Sequence, residues 1–524
     1  MTVTWDEPIT FGTGGGAAAL GVYAPSGRRI DSRNVRHPAP GVLSVSLPTR
    51  LAHGTYTVGW KVTSADTHVV HGAFTFSIGA PSAGGGIARR LLAAEDIPVA
   101  LADGFALVRF LNLLLVALCV GGAACMVVVL RDGAPAVRRP LWGGLVACGV
   151  LLALAALLGL PFEAAEQNGT SLWGGFGAAA LAGVRHMRFG EAWITRAWLA
   201  LLTAALAMSL QHWPRARRRS REVLLAVAVT VLALTPSASG HASVAGALTF
   251  LIDALHVVCA GAWGGGLVFL SAGLAAAPRA GRWALAARAV PRFSALALGS
   301  VAVLLATGAV NAYLEVRSFA GLVDSTYGAL VLAKGALALP LLALGAFNNR
   351  VGVPALRADV GAPAARRRFV RAIGAELLVF VAVIGVTAVL VGEAPAKGLG
   401  ARPAGPFTTR TSIGPYALTL RVTPAATGAN TVTIRIADRR GNPPRLAAVT
   451  IAAAPAVPLD RTPRLQRPAA RTGALRRAPR TVRDRRQLAV ADRRAPGPVQ
   501  RVAAHGGRPD RSVISLLPTT KGMP

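Results

Sequence analysis

Residues Phe250-Leu-Ile-Asp-Ala-Leu-His-Val-Val-Cys-Ala-Gly-Ala-Trp-Gly-Gly-Gly-Leu-Val-Phe-Leu270 form a run in which only Asp253 and His256 break a sequence of apolar and small side chains. Coiled as a helix rising 1.5 Å per residue, such a run is about 30 Å long, the thickness of a bilayer's hydrocarbon core. The segment is expected to cross a membrane. An ionisable pair inside it is costly unless it faces partners or a pathway, so Asp253 and His256 are functional candidates from the outset.

Seven other stretches share this character. The eight expected spans lie near 105–130, 141–160, 193–211, 223–236, 245–275, 293–314, 328–347 and 372–392, the fourth being short. Arginines follow alternate spans: Arg131, Arg138 and Arg139 after the first, Arg215 to Arg221 after the third, Arg279 to Arg292 after the fifth, and Arg350 to Arg371 after the seventh. The other loops hold only Arg185, Arg188 and Arg317. Lys and Arg are retained in the cytoplasm, so both termini are expected outside, with the chain multi-pass in a cytoplasmic membrane.

With 53% hydrophobic and 15% charged residues, the composition excludes an ordinary soluble protein. The net charge of +33 lies mostly in short loops and the tail rather than on one face, so the lipid bilayer and not nucleic acid is the expected partner. Cys119, Cys125, Cys148 and Cys259 all fall in apolar runs, which implies no disulfide framework. The abundance of Ala, Gly, Arg and Pro suggests a bacterial source.

The two ends read differently. Tyr56, Val58, Trp60 and Val62 alternate with polar or small residues, and Phe74, Phe76 and Ile78 repeat that period of two, which predicts a small all-β sandwich over 1–80. A Gly-rich exit begins a linker over 81–103. Alternation returns in Tyr416, Leu418, Leu420 and Val422 and in Val432, Ile434 and Ile436, so a β-domain fragment is expected over 405–458. From 459 to 524 the chain is rich in Arg and Pro and is expected to be disordered.

The segment Leu51-Ala-His-Gly-Thr-Tyr-Thr-Val-Gly-Trp-Lys-Val-Thr-Ser-Ala-Asp-Thr-His-Val-Val-His-Gly-Ala-Phe-Thr-Phe-Ser-Ile78 resembles the last strands of the CopC family of periplasmic copper-binding proteins. Gly240-His241-Ala242, Asp253-Ala-Leu-His256, Ala262-Trp-Gly-Gly-Gly266, Arg292-Phe-Ser294, Thr307-Gly-Ala-Val-Asn311 and Tyr327-Gly-Ala-Leu-Val-Leu-Ala-Lys334 resemble the CopD family, which would cover 104–394. The fragment at 405–458 resembles the start of a YtkA-like domain. The resemblance implies an Ig- or cupredoxin-like sandwich joined to a polytopic helical bundle, with copper as the bound ion. It also implies an N-terminal His ligand, a first strand and an export signal, which are expected upstream of Met1 unless the site is incomplete.

Asp66 and His68 would point to the same side of an extended strand, a carboxylate and an imidazole suited to Cu(II). His71 could join them if the strand bulges, although its odd spacing puts it on the opposite face of a regular strand. Within the membrane, Asp253 and His256 share a helical face near mid-bilayer and could hold Cu(I) or Cu(II), and His241 could receive the ion from the β-domain. A structural hydrogen bond fits Asp253 and His256 equally well, and a solvated loop fits His241. Cys125, Met126 and Cys259 read as packing, His186 and Met187 as surface loop, Asn311 as interhelical glue, and Lys334 and Glu376 as side chains reaching to opposite interfaces.

These readings converge on a non-enzymatic copper handler that binds the ion outside and moves it inward in copper homeostasis and resistance. No nucleotide-hydrolysis motif is visible, so transport driven by the chain's own ATPase is not expected. Two alternatives stay open: a membrane oxidoreductase with haem on His241 and His256, and a copper donor for assembly of a cupro-oxidase.

Overall fold

The alternation around Tyr56 to Val62 becomes one long strand. In the computed structural model, residues 1–4, 9, 20–63, 69–78, 85–94, 98–212, 218–243, 245–279, 281–352, 354, 363–393, 395–396, 407–413, 416–423, 431–438, 442, 450–451, 501–505 and 513–517 are described. Strands β1 (Thr2–Thr4), β2 (Leu20–Tyr23), β3 (Arg36–Ala39), β4 (Val42–Ser44), β5 (Gly54–Thr63) and β6 (Val69–Ile78) make two layers. One has the order β1-β4-β3, and the other begins β2-β5-β6, all antiparallel. Val58 and Val62 meet Leu20, Val22 and Leu43 between them, with Trp60, Phe74 and Phe76 at the margin. This is the sandwich expected over 1–80.

An ion pair pins the edge of that core. Asp31 accepts from Arg29 Nε at 2.7 Å and from the amides of Val22 and Arg33 at 2.9 and 2.8 Å. Burial pushes the Asp31 carboxyl up, but the hydrogen bonds from Arg29, Val22 and Arg33 outweigh it and hold the group below its ordinary value. A depressed carboxylate pKa stabilises the fold above the unfolded value of about 4 and ceases to do so as pH falls through the folded value. Asp31→Asn is expected to cost the β-domain about 2 kcal/mol at neutral pH and to flatten its acid destabilisation. Pulse proteolysis of the full chain between pH 3 and 7 measures both; identical acid profiles for variant and wild type would count against the ion pair's role.

The opposite face of β5 and β6 carries Thr55, Thr57, Lys61 and Thr75, all four buried. Helix α1 (Gly85–Ala94), inside the stretch expected to be a flexible linker, covers part of it: Leu91 Cδ1 lies 3.1 Å from where a Cβ on Gly59 would stand. The bundle covers another part. Lys61 Nζ lies 3.1 Å from the corresponding point on Gly169, the left-handed residue (φ 61°) that ends α3 (Pro135–Asn168). An ammonium at a helix C-terminus is favourably placed against the last carbonyls, so the sandwich docks on the bundle through this face.

The membrane part forms α2 (Val99–Ala124), α3, α4 (Leu172–Gly175), α5 (Ala178–Arg185), α6 (Arg188–His212), α7 (Arg218–Ala238), α8 (Ala247–Ala260), α9 (Gly266–Ala276), α10 (Arg282–Val316), α11 (Phe319–Val323), α12 (Thr326–Phe347) and α13 (Pro363–Leu390). Cys125–Val129 extends α2, and Gly261–Gly265 joins α8 to α9, each as a π-helical turn. Among the described residues eight helices are long and apolar enough to span: α2 with its π-turn, α3, α6, α7, α8–α9, α10, α12 and α13. The fourth, expected to be short, runs 21 residues. Helix α2 and the α8–α9 unit form the centre, 67% of their apolar windows being buried, whereas the window of α12 is not buried at all. Leu154, Leu202, Leu224, Leu298 and Leu378 stand exposed, as side chains facing lipid should.

After the bundle, β7 (Phe407–Ile413), β8 (Tyr416–Thr423) and β9 (Thr431–Asp438) form an antiparallel meander. It does not stand apart. β9 runs parallel to β6 with Thr75 opposite Thr431 and Phe76 opposite Val432, giving one sheet in the order β2-β5-β6-β9-β8-β7. A segment before the bundle can pair with one after it only if the chain returns to the side it left, and an even number of spans does that. Further on, β10 (Thr450–Ile451), β11 (Arg501–His505) and β12 (Val513–Leu517) pair in a small sheet. Val502 and Val513-Ile514 supply enough β-branched residues for that hairpin, against the expectation of no regular structure after 459; the rest of that tail lies outside the described residues.

Candidate metal route in the bundle

Asp253 and His256 leave the same side of α8, but each is held by another helix. Asp253 Oδ2 accepts from Ser237 Oγ at the end of α7 at 2.6 Å, and Oδ1 accepts from Asn311 Nδ2 on α10 at 3.0 Å. Both oxygens are therefore fixed in direction. His256 Nδ1 lies 2.9 Å from Thr307 Oγ1, one turn before Asn311 on α10.

The contacts of Thr307 bear on the tautomer of His256. Thr307 Oγ1 also lies 2.7 Å from the Val303 carbonyl, and a hydroxyl that donates there has only a lone pair left for the imidazole. In that arrangement Nδ1 carries the proton and donates, and Nε2 keeps its lone pair for a cation. Gly308 makes room for the ring, since a Cβ there would stand 3.3 Å from His256 Cε1.

Other polar groups surround the pair. His241, in the short turn His241–Ser243 between α7 and α8, lies within electrostatic reach of Asp253, as do Glu315 and Lys334. Lys334 also acts on His256. Lys334 is half-buried on α12, which packs mainly against α13. Glu376 instead accepts from Asn348 at 3.4 Å and is buried.

Of the candidates in the β-domain, His71 is exposed on β6 opposite Lys61, on the face that looks toward the bundle. Asp66 and His68 lie outside the described residues. Among the described residues no three His, Cys, Asp or Glu side chains converge as a metal cluster, so α8 offers two donors, one oxygen and one nitrogen. Cys119, Cys125 and Met126 are sealed in the core, in keeping with a packing role. His186 is exposed and accepts from Arg185 Nε at 3.0 Å.

Ser237 and Thr307 escaped the sequence reading. Thr307 and Asn311, four residues apart in Thr307-Gly-Ala-Val-Asn311, do mark one polar stripe on an apolar helix, which is a usable signal. Ser237 sits among Ser, Pro and Gly at a helix end and carries none.

Comparison with known proteins bears on most of the chain. Residues 1–79 match the model of the CopC domain, residues 100–250 that of the copper resistance protein D-like N-terminal domain, and residues 287–390 that of copper resistance protein D. Asp253 and His256 fall in the interval between the two membrane matches. The copper transport protein CutJ of Bacillus subtilis (strain 168) is 28% identical over 461 residues, covering 84% of this chain and 79% of CutJ. The inner membrane protein YebZ of Escherichia coli (strain K12) is 31% identical over 182 residues, 34% of this chain and 59% of YebZ. No solved structure matches.

Proposed function

Because this chain is a fusion of a CopC domain with CopD membrane segments, a member of the copper-resistance family, we propose that it captures copper outside the cytoplasmic membrane and carries it inward through its bundle. The β-sandwich takes Cu(II) with Asp66, His68 and His71. The ion then passes by His241 to the Asp253 carboxylate and the His256 Nε2. The bundle-facing position of His71 and the arginine-rich alternate loops support this direction, and the name of the B. subtilis relative supports transport as the activity.

One observation carries the reading: the His256 ring is held through Nδ1 by Thr307, whose hydroxyl also meets the Val303 carbonyl, an arrangement that favours an open Nε2 three residues from an oriented carboxylate. An oxygen and a nitrogen donor suit Cu(II), and a passing ion needs sites that bind without trapping.

Copper accumulation in cells expressing the full chain tests it. His256→Ala is expected to lower initial uptake at least tenfold at equal protein level, and Thr307→Val to lower it by roughly tenfold, as loss of a ligand's orienting partner does. Uptake by His256→Ala equal to wild type would remove α8 from the route.

A further inference from the structure

Arg196 lies on α6, eight residues and about 12 Å along the axis from its start. It is 3% exposed. Its guanidinium donates through Nε to Thr235 Oγ1 at 2.9 Å, through Nη2 to Ser239 Oγ at 3.4 Å and through Nη1 to Asn112 Oδ1 of α2 at 3.3 Å, and it lies 4.7 Å from the Trp193 ring centre. Among the described residues no carboxylate is within 4 Å of it, so an always-charged group is kept in the bundle by neutral partners alone. Such a charge is expensive to bury, and a purely structural contact could be made by a neutral side chain at lower cost.

What it holds suggests why it is there. Thr235 and Ser239 are four residues apart at the end of α7 and project toward α6; Ser237, between them, projects the other way and donates to Asp253 at 2.6 Å. This turn is weak in its own backbone. Pro236 has no N–H to give the Leu232 carbonyl, and the Thr235 hydroxyl donates to that oxygen instead at 2.8 Å. A turn short of a backbone hydrogen bond needs an external hold if a side chain on it is to stay in register.

We propose that Arg196 is a positioning residue for the copper route: it grips the last turn of α7 from the α6 side so that Ser237, on the far side, keeps its hydroxyl on Asp253. The inference rests on Asp253 being a station for the ion. Lysine at 196 would keep the charge but, with one nitrogen, could not reach Thr235, Ser239 and Asn112 together.

The test is copper uptake kinetics of the full chain in proteoliposomes for Arg196→Lys, Ser237→Ala, their double variant and Asp253→Asn. Arg196→Lys and Ser237→Ala are each expected to raise the apparent KM about tenfold with the maximal rate within twofold. The double variant should be no worse than Ser237→Ala alone, because both changes cut one link. A double variant whose loss is the product of the two single losses would overturn the inference, as would wild-type kinetics for Arg196→Lys while Asp253→Asn is impaired. Wild-type kinetics for Asp253→Asn would instead overturn the station on which it rests. Should Arg196→Lys fail to accumulate, Thr235→Val paired with Ser237→Ala replaces it, read by the same additive or non-additive outcomes.

Discussion

Valine in place of Gly265 is expected to leave no stable, monodisperse protein. A Cβ at Gly265 would collide with the Ala117 carbonyl on α2, and one at Gly121 would collide with the backbone of Gly261, Gly265 and Gly266, so the two central spans touch backbone to backbone. In lipid, where apolar side chains gain little by leaving their surroundings, such close approach of small residues is the main source of helix association. The obstacle is main chain and cannot swing aside. Trp263, edge-on to Phe380 at 5.9 Å, further locks the π-turn in place. Overpacking against flexible side chains usually costs 1–3 kcal/mol; against backbone at the centre of the bundle it should exceed about 4 kcal/mol. Gly281→Val is the control, since nothing lies within 4 Å of a Cβ there. Size-exclusion profiles and thermal melting of the two detergent-solubilised variants decide the matter, and a wild-type melt for Gly265→Val would refute the close crossing. Function is at stake as well, because the π-turn begins five residues after His256 and sets how α8 presents its pair to α10.

How much of this could be read in advance depends on the range of the interaction. Span length, the period of two in β5 and β6, and the three-residue offset of Asp253 and His256 are local patterns, and the sequence displays them directly. The Gly264-Gly265-Gly266 run is plain in the sequence, but nothing in it says that a second backbone approaches, that the partner is Ala117 or that the helix bulges. The groups that make the pair chemically definite are 51 residues away for Thr307, 58 for Asn311 and 16 for Ser237, and no local rule links them. The same holds for Thr75 and Thr431, whose pairing joins two β-segments that look like separate domains in sequence. Lys334 reads as reaching for water because it is a lone lysine in an apolar run, and its electrostatic influence on Asp253 of another helix has no local signature.

Asp253→Asn should reduce copper uptake about a hundredfold, near 2.7 kcal/mol of lost stabilisation, with little change in melting temperature. Asparagine has the shape of aspartate. Its Oδ1 can still accept from Asn311 Nδ2, and its amide can donate to Ser237, whose hydroxyl turns to accept instead. The hydrogen bonds that tie α8 to α7 and α10 therefore survive, and the one thing removed is the negative charge. That charge is what a copper ion needs in a medium of low dielectric, where a cation without a counter-charge meets a barrier that neutral dipoles lower only in part. Alanine would be a poorer probe, because it strands the Ser237 hydroxyl and the Asn311 amide at about 1–3 kcal/mol each and mixes folding with transport. A folded Asp253→Asn protein that still moves copper at the wild-type rate would mean that the carboxylate only fastens three helices together. Full loss in Asp253→Asn with only partial loss in His256→Ala would rank the charge above the imidazole as the feature that brings the ion into the bundle.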